Sequence, residues 1–182
     1  SVIGCKDALL ADIDGDGDLD LVTAGQDANS IVWYENDGSQ NFAAHIVDGA
    51  AIAAKSAIPA DLDGDGDIDI ITASFDDDTI AWYENNGAEV FTKRVIDSGA
   101  DGAYYATVAD IDGDGNLDVV TASKLDSTIA WYRNEGGGLF TKTLISGAAE
   151  AARFVSTSDM DGDGDIDVLA ASVDDNTIVV YL

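Results

Sequence analysis

The stretch Asp12-Ile13-Asp14-Gly15-Asp16-Gly17-Asp18-Leu19-Asp20 decides how the rest of this sequence is interpreted. The same nine-residue pattern, D-x-D-G-D-G-[D/N]-x-D, begins again at Asp61, Asp110 and Asp159, so 49 residues separate each start from the next. Carboxylates packed at alternate positions around two glycines repel one another unless a cation lies among them. The pattern therefore predicts a hard-metal site in each unit and an array of four copies of that unit.

The alternate positions of each nine-residue loop carry the predicted ligands. Positions 1, 3, 5 and 9 offer carboxylates, the glycine at position 6 permits a sharp turn, and position 7 contributes its backbone carbonyl, as in the first half of an EF-hand loop. The neutral Asn116 fits this role at position 7, because the side chain there needs no charge. The predicted metal-site residues are Asp12, Asp14, Asp16, Asp18, Asp20, Asp61, Asp63, Asp65, Asp67, Asp69, Asp110, Asp112, Asp114, Asn116, Asp118, Asp159, Asp161, Asp163, Asp165 and Asp167.

The ligand type favours calcium. Hard anionic oxygens with no neighbouring His or Cys argue against zinc and copper, and magnesium prefers fewer carboxylates because it keeps its waters. We therefore predict about four Ca²⁺ ions, one in each loop. An EF-hand protein is excluded because position 12 is Thr23 in the first unit instead of a bidentate Glu, and strand sequence surrounds the loop. A nine-residue calcium-binding β-helix repeat does not fit a period of 49 residues.

Short apolar segments typical of β-strands follow each loop. In the first unit they run over Leu19–Ala24, Ile31–Tyr34 and Phe42–Val47, with the turn Asn36-Asp37-Gly38 before the last of them. β-branched and aromatic residues favour strands, and Asn and Gly tolerate the positive φ of tight turns. A further segment, Ala57–Ala60, runs into the second loop, and its proline predicts a strand at a sheet edge, because proline has no N–H donor.

Four short antiparallel strands in a unit of about fifty residues are the pattern of a β-propeller blade. The sequence thus predicts an all-β, propeller-type array of four 49-residue four-stranded blades, the last one incomplete, with residues 1–182 forming a single array. Trp33, Trp82 and Trp131 share one repeat position, which we interpret as core between blades; the alternative is an exposed aromatic platform for sugars. Val180 takes this position in the last unit, which suits a packing role.

The composition describes an acidic chain that still has enough apolar residues for a core. The hydrophobic fraction is 46%, and four divalent ions would bring the net charge of −28 only to −20. This charge argues against nucleic acid and anionic membranes as partners. No segment has the length and apolarity of a membrane span, and no signal peptide is visible. Because calcium is abundant outside cells, we expect a secreted or cell-surface segment.

The single cysteine, Cys5, cannot form an internal disulfide. Val2-Ile3-Gly4-Cys5 has the form of the end of a bacterial lipoprotein signal, in which the cysteine is acylated. The segment that would precede such a site is not part of this sequence. We therefore favour a small buried thiol for Cys5.

The four loops, each leading into an apolar strand, resemble FG-GAP/VCBS repeats, which form the calcium-binding blades of integrin-α-type propellers and occur in many bacterial surface proteins. The likeness covers nearly the whole chain. It implies that each loop joins the first and second strands of a blade and that its carboxylates hold calcium. The functions of the family are diverse, including adhesion, sugar binding and accessory domains of enzymes, so the resemblance indicates the ligand better than the activity.

The leading functional interpretation is a calcium-stabilised extracellular structural or adhesive module without catalysis. The aspartates already have ligand roles, and His45, the only histidine, is interpreted as a strand side chain. The alternatives are a lectin-like carbohydrate-binding propeller and a non-catalytic propeller fragment of a larger surface protein or enzyme. Partners other than calcium would be a cell-surface protein, a glycan, or further copies of the chain. Residues 1–4 resemble Thr143–Gly147, so they would complete the last unit within the same chain or, through β-strand addition, in the next copy of a head-to-tail filament.

Overall fold

A computed structural model of the protein describes residues 3–182. Those residues form fifteen β-strands and no helix, which confirms the all-β prediction. The strands are five to seven residues long, and the tight turns between them contain residues with positive φ, such as Asn29 and Gly38. These are the residue types that favour such turns, so the local sequence and the local conformation agree. No helix in this part of the chain could cross a membrane.

The strands form four antiparallel sheets in chain order, three with four strands and one with three. Sheet 1 contains β1 (Cys5–Ala11), β2 (Asp20–Gly25), β3 (Ser30–Asn36) and β4 (Phe42–Asp48). Sheet 2 contains β5 (Ala54–Ala60), β6 (Asp69–Ser74), β7 (Thr79–Asn85) and β8 (Phe91–Asp97). Sheet 3 contains β9 (Ala103–Ala109), β10 (Asp118–Ser123), β11 (Thr128–Asn134) and β12 (Phe140–Ser146). Sheet 4 contains β13 (Ala152–Ser158), β14 (Asp167–Ser172) and β15 (Thr177–Tyr181).

Each aspartate loop joins the first and second strands of one sheet, as the family resemblance implies. The segment Ala57–Ala60 lies in β5 and pairs with β6, so it is the first strand of sheet 2 and not part of sheet 1. The edge position predicted from Pro59 is confirmed, because β5 is the outer strand in the order β5-β6-β7-β8. The fourth sheet has three strands among the described residues, in agreement with an incomplete last blade.

The core lies between consecutive sheets. We call the side of a sheet that faces the next sheet in the chain its back face, and the side that faces the preceding sheet its front face. Three apolar clusters fill the junctions between sheets 1 and 2, 2 and 3, and 3 and 4. Trp33 and Trp82 lie on back faces and are 1% and 2% exposed, which confirms the core interpretation for these two indoles. Trp131 is only half-buried.

The N-terminal segment departs from two predictions. Cys5 is exposed, so the prediction of a buried thiol is wrong, because no sheet formed by residues 3–182 packs on the front face of sheet 1. Ser1 and Val2, on which completion of the last unit by residues 1–4 depends, lie outside the described residues. Ile3 and Gly4 lie in the turn that precedes β1. They therefore add no strand to sheet 4 in this structure.

Candidate metal centre

Three carboxylates converge in each aspartate loop. They are the side chains at positions 1, 3 and 9, and in every loop one oxygen from each lies within 4.8 Å of the other two. The four groups are Asp12, Asp14 and Asp20; Asp61, Asp63 and Asp69; Asp110, Asp112 and Asp118; and Asp159, Asp161 and Asp167. These residues are among those predicted from the sequence. A group of three negative oxygens at this spacing suits a divalent cation with oxygen ligands.

The position 9 aspartate anchors the loop to the sheet. Asp69 has no exposed surface. Its Oδ2 accepts a hydrogen bond from the N–H of Leu62 at 3.0 Å, and its Oδ1 accepts one from the N–H of Asn85 at 2.8 Å. Burial raises the pKa of Asp69 to about 6, against the opposing effect of these two bonds. The same side chain therefore closes the loop and presents charge to its centre.

Positions 1 and 3 hold the turn of the loop together from inside. In the first loop the N–H of Gly17 donates to Asp12 Oδ2 at 3.1 Å, and the N–H of Asp16 donates to Asp14 Oδ1 at 3.1 Å. The second oxygen of Asp12, Oδ1, is buried and has no hydrogen-bond partner. A buried carboxylate oxygen without a donor is costly. A bound cation would satisfy it, so the residues present fit a calcium ion.

The two glycines of the loop have backbone conformations that other residues rarely adopt. Gly15 at position 4 has φ of 75° and Gly17 at position 6 has φ of 96°. A side chain would be strained in this region of φ even though the space around both glycines is open. The glycines are therefore needed for the path of the backbone and not for a close contact.

Positions 5 and 7 differ from the three converging aspartates. Asp16 at position 5 accepts a hydrogen bond from the N–H of Asp18 at 2.8 Å and is not part of the group of three. The Asp18 side chain lies against Gly38 in the β3–β4 turn, where a Cβ would overlap its carboxylate, and Asp67 lies against Gly87 in the same way. The structure thus directs these two position 7 side chains towards a neighbouring turn. A role for position 7 through its carbonyl stays a prediction.

The repeat pattern of this chain matches a known family over most of its length. The sequence pattern of the FG-GAP-like repeat matches residues 12–72, 61–121 and 112–170. The chain belongs to the FG-GAP-like repeat family. No sequence among the curated proteins matches it.

A solved structure that is similar to this one is that of a lectin from Agrocybe aegerita, described as recognising non-reducing terminal N-acetylglucosamine. It shares 26% sequence identity with this FG-GAP-like repeat chain at a TM-score of 0.62. The alignment covers 96% of this chain and 51% of the lectin chain. The chain thus spans about half the length of that lectin, and the likeness supports a propeller-type module.

The third loop of this FG-GAP-like repeat protein differs from the others in a way that sequence reasoning missed. Arg133 Nε lies 2.6 Å from Asp112 Oδ2, and its Nη2 lies 3.4 Å from Asp114 Oδ2. The N–H of Asn116 and, beside it, the Arg133 guanidinium hold the pKa of Asp114 below its usual range. The signal was visible in the aligned repeats, because the corresponding residues of the first two units are Glu35 and Glu84.

A polar network between sheets was also missed. The Tyr132 hydroxyl donates to Asp97 Oδ2 at 2.7 Å, and Lys142 Nζ lies 2.7 Å from the same oxygen. Burial alone would raise the pKa of Asp97, but hydrogen bonds from these two side chains and from the N–H of Gly99 outweigh it and lower the pKa. Asp48, Tyr83 and Lys93 form the corresponding network one repeat earlier. The shared spacing of 49 residues was the available signal.

A small cleft of about 140 Å³ opens beside the second loop at the junction of sheets 2 and 3. Glu84 and Arg94 form an ion pair in this cleft. Trp82, which belongs to the apolar cluster of the junction, lines its inner side. His45 and Glu35 are at the corresponding place one repeat earlier, where the imidazole stacks on Trp33 with ring centroids 4.5 Å apart. The lining residues of the cleft are Asp63, Trp82, Glu84, Arg94, Gly137 and Gly138.

Proposed function

We propose that this chain is a calcium-stabilised extracellular propeller module with a structural or adhesive role and no catalytic activity. The observation that supports this proposal is the group of three converging carboxylates, which recurs in all four loops. The buried, unpartnered Asp12 Oδ1 supports it further, because such an oxygen is stabilised by a bound cation. Oxygen ligands of this charge and number suit calcium, which accepts six to eight oxygens in flexible geometry.

The ions would act through stability. The chain has a net charge of −28, and 19 of its 36 acidic residues lie in the four loops. The first, second and fourth loops hold five each, and the third loop holds four. Repulsion within each loop opposes the folded state, and an ion that binds only that state removes the repulsion. Each site contributes about 2.7 kcal/mol at a hundredfold excess of calcium over its dissociation constant. The summed contribution of several such sites is large compared with a typical net stability of about 5–15 kcal/mol.

The test is thermal unfolding in millimolar calcium and in EDTA, followed by calorimetric titration of the chelated protein. We expect a melting temperature lower by tens of degrees in EDTA and a stoichiometry of about four ions. Magnesium at the same concentration is the control ion, and it should restore much less stability. An unchanged melting curve in EDTA contradicts the proposal.

A matched pair of variants locates the ligands in the first loop. Asp14→Asn removes a charge from the group of three converging carboxylates, whereas Asp18→Asn removes one from a side chain that lies against Gly38. We expect titration to show that Asp14→Asn loses one site and that Asp18→Asn keeps all four. Equal losses in the two variants would show that the ligand assignment is wrong.

End-to-end assembly is part of the proposal. The strand β15 lies at the edge of sheet 4, and among the described residues no strand pairs with its outer side. Such an edge accepts a strand from another chain by β-strand addition. The partner would be another copy of the chain or a cell-surface protein. The third interpretation, a non-catalytic part of a larger surface protein or enzyme, predicts that the chain stays monomeric at all concentrations.

A second candidate function is carbohydrate binding, which the similarity to the Agrocybe aegerita lectin favours. The cleft with Asp63, Glu84 and Arg94 offers donors and acceptors for sugar hydroxyls. Trp82 is 2% exposed, so its ring face is not free to stack on a sugar. Binding of N-acetylglucosamine on a glycan array, lost in Arg94→Gln and kept in the distant Lys6→Gln, would establish this function. An array without signal would contradict it.

A further inference from the structure

We propose that the back face of sheet 4 binds the front face of sheet 1 in a second copy of this chain, through the same junction that joins consecutive sheets within the chain. This inference rests on the end-to-end assembly in the proposed function, but it places the contact between two sheet faces instead of at the free edge of β15. The two exposed end faces resemble the surfaces that meet at the three junctions within the chain.

The back face of sheet 4 is an apolar junction surface that no sheet covers among the described residues. Ile31, Ile80 and Ile129 lie on the back faces of sheets 1, 2 and 3, and each is 0% exposed. Ile178 occupies the same repeat position in sheet 4 and is 74% exposed. Val180, which takes the tryptophan position, is 41% exposed. The face thus keeps apolar side chains at two positions that are buried or half-buried at the other junctions.

The front face of sheet 1 is the matching surface. On the front faces of sheets 2, 3 and 4, the first strand begins with a small residue that the preceding sheet covers completely: Ala54, Ala103 and Ala152. Cys5 is the corresponding residue of sheet 1, and it is exposed. A thiol is close in size to a methyl group and is usually buried in proteins. Cys5 therefore fits the space that alanine fills at the three existing junctions.

The connection before sheet 1 has the conformation that it has at an occupied junction. Gly4 has φ of 66°, and its counterparts Ala53 and Gly102 have φ of 53° and 67°. At two of the three occupied junctions, the N–H of this residue donates to a side chain of the preceding sheet: that of Ala53 to Asn29 Oδ1 at 2.9 Å and that of Gly102 to Asp78 Oδ1 at 2.8 Å. These acceptors lie in the β2–β3 and β6–β7 turns of the preceding sheets.

The matching acceptor for Gly4 lies at the other end of the chain. Asn176 occupies the position of Asn29 and Asp78 in the turn before β15, and its φ of 57° equals theirs to within a few degrees. When sheet 4 of one copy docks on sheet 1 of another, the side-chain carbonyl of Asn176 meets the N–H of Gly4. The backbone at Gly4 and at Asn176 thus already has the conformation seen where this bond forms within the chain.

A second pair of polar groups matches in the same way. Asn134 Nδ2 donates to the carbonyl oxygen of Leu62 in the preceding loop at 2.9 Å, and Asn85 Nδ2 donates to that of Ile13 at 3.4 Å. Asn36 is their counterpart in sheet 1 and donates to Leu19 O of its own sheet. Its second N–H would meet the carbonyl oxygen of Met160, which holds the Ile13 position in the fourth loop.

Two copies that use both faces form two identical junctions and a ring of eight sheets. This number lies within the range of four to eight blades that propellers adopt. A two-fold arrangement of this kind also buries both apolar end faces of each copy, as closed oligomers do. The net charge of −28 opposes association, so calcium and moderate salt should favour it.

The experiment compares two exposed apolar residues. Ile178 is 74% exposed on the back face of sheet 4, and Leu139 is 68% exposed in the turn before β12 of sheet 3, away from both end faces. In light scattering with millimolar calcium, the wild-type chain should reach twice its monomer mass of 18.9 kDa. Ile178→Asp should weaken association at least tenfold, whereas Leu139→Asp should leave it unchanged. A monomeric wild-type chain at high concentration, or equal weakening by both variants, overturns the inference.

A mixing experiment tests the direction of the contact. Cys5→Arg damages only the front face of sheet 1, and Ile178→Asp damages only the back face of sheet 4. Each variant alone should be monomeric, whereas an equal mixture should form a heterodimer through the one intact pair of faces. A mixture that stays monomeric overturns the head-to-tail arrangement. The calcium proposal is tested separately by melting in EDTA, so a stable calcium-bound monomer would contradict end-to-end assembly and leave the calcium-stabilised module standing.

Discussion

The junction between sheets 2 and 3 and the junction between sheets 3 and 4 are built from the same repeat, yet they are closed to different extents. At the first, Trp82 is 2% exposed and meets Phe140 of β12 edge-on, with ring centroids 6.4 Å apart. At the second, Trp131 is half-buried. Sheet 4 has no fourth strand among the described residues that would bring a phenylalanine against this indole.

The polar contacts of the two junctions differ in the same way. At the junction of sheets 2 and 3, Asp97 accepts hydrogen bonds from the Tyr132 hydroxyl and from Lys142 Nζ. At the junction of sheets 3 and 4, Ser146 takes the position of Asp97 and cannot offer a carboxylate. The fourth strand of a sheet therefore contributes to packing between sheets. It supplies the phenylalanine that covers the indole of the preceding sheet and the lysine that pairs with the aspartate of that sheet.

Removal of the indole should change stability most, and by different amounts at the two junctions. Trp82→Ala should lower the free energy of unfolding by about 3–5 kcal/mol, because it empties a fully covered site. Trp131→Ala should lower it clearly less, since the indole is half-buried before the change. Urea denaturation of both variants in millimolar calcium, with the slopes compared to that of the wild type, checks the prediction. Equal losses would mean that the two junctions are equally closed in solution.

A smaller effect comes from the carboxylate at the closed junction. Asp97→Asn weakens the contacts with Lys142 and Tyr132 and should cost about 1.5–3 kcal/mol at neutral pH, the usual worth of hydrogen bonds to charged groups. The folded-state pKa of Asp97 lies below its unfolded value, so this stabilisation is fully present above the unfolded pKa. It is lost as the pH falls through the folded pKa.

The measurement is a set of denaturation curves at several pH values for the wild type and Asp97→Asn. The gap between them should be constant from neutral pH down to about 4, near the ordinary aspartate pKa, and should shrink below it. Ser146→Ala at the other junction is the control and should show no such pH dependence. A gap that persists at the lowest pH would contradict an ionised Asp97 in this network.

Loss of the Tyr132 hydroxyl, which donates to Asp97, should lower stability by a smaller amount. Tyr132→Phe removes the 2.7 Å hydrogen bond to Asp97 but leaves Lys142 in place, so we expect a loss of about 1 kcal/mol. Tyr181→Phe is the matched change at the junction of sheets 3 and 4 and should be nearly neutral. Thermal melts of the two variants side by side decide this, and a larger loss in Tyr181→Phe would reverse the order of the two junctions.

A pair of glycine substitutions tests a single contact of the closed junction and should change stability least. Gly137 and Gly138 both have positive φ, so alanine is strained at either position. A Cβ on Gly138 would lie 3.3 Å from Trp82, whereas one on Gly137 would meet nothing within 4 Å. Gly138→Ala should therefore cost up to about 1 kcal/mol more than Gly137→Ala, the cost of modest overpacking. Identical melting temperatures would show that the Trp82 ring moves aside freely.

Much of the fold could be predicted because the sequence repeats its local signals. The loop glycines, the β-branched strands and the Asn-Gly turns each specify backbone conformation within a few residues. Pro59 could be placed at an edge for the same reason, since the missing N–H is a property of one residue. Trp33 and Trp82 were predicted as core because their spacing follows the repeat.

The remaining features depend on contacts between units, which local patterns do not specify. Cys5 looks like a core residue by its type, but burial requires a neighbouring sheet that faces it. Arg133 differs from Glu35 and Glu84 in the aligned units, but only its reach to Asp112 shows what the change does. Position 7 of the loop could be separated from the other ligands by the presence of Asn116, whereas the contact of Asp18 with Gly38 depends on where the fold places the β3–β4 turn.

The amide of Asn85 joins two aspartate loops, because it donates to Ile13 O in the first loop and to Ile68 O in the second. Asn134 links the second and third loops in the same manner. Through these links, a disturbance of the first loop reaches the third by way of the second. In thermodynamic terms the array is a one-dimensional chain with nearest-neighbour coupling, and its unfolding should begin at an end and proceed unit by unit.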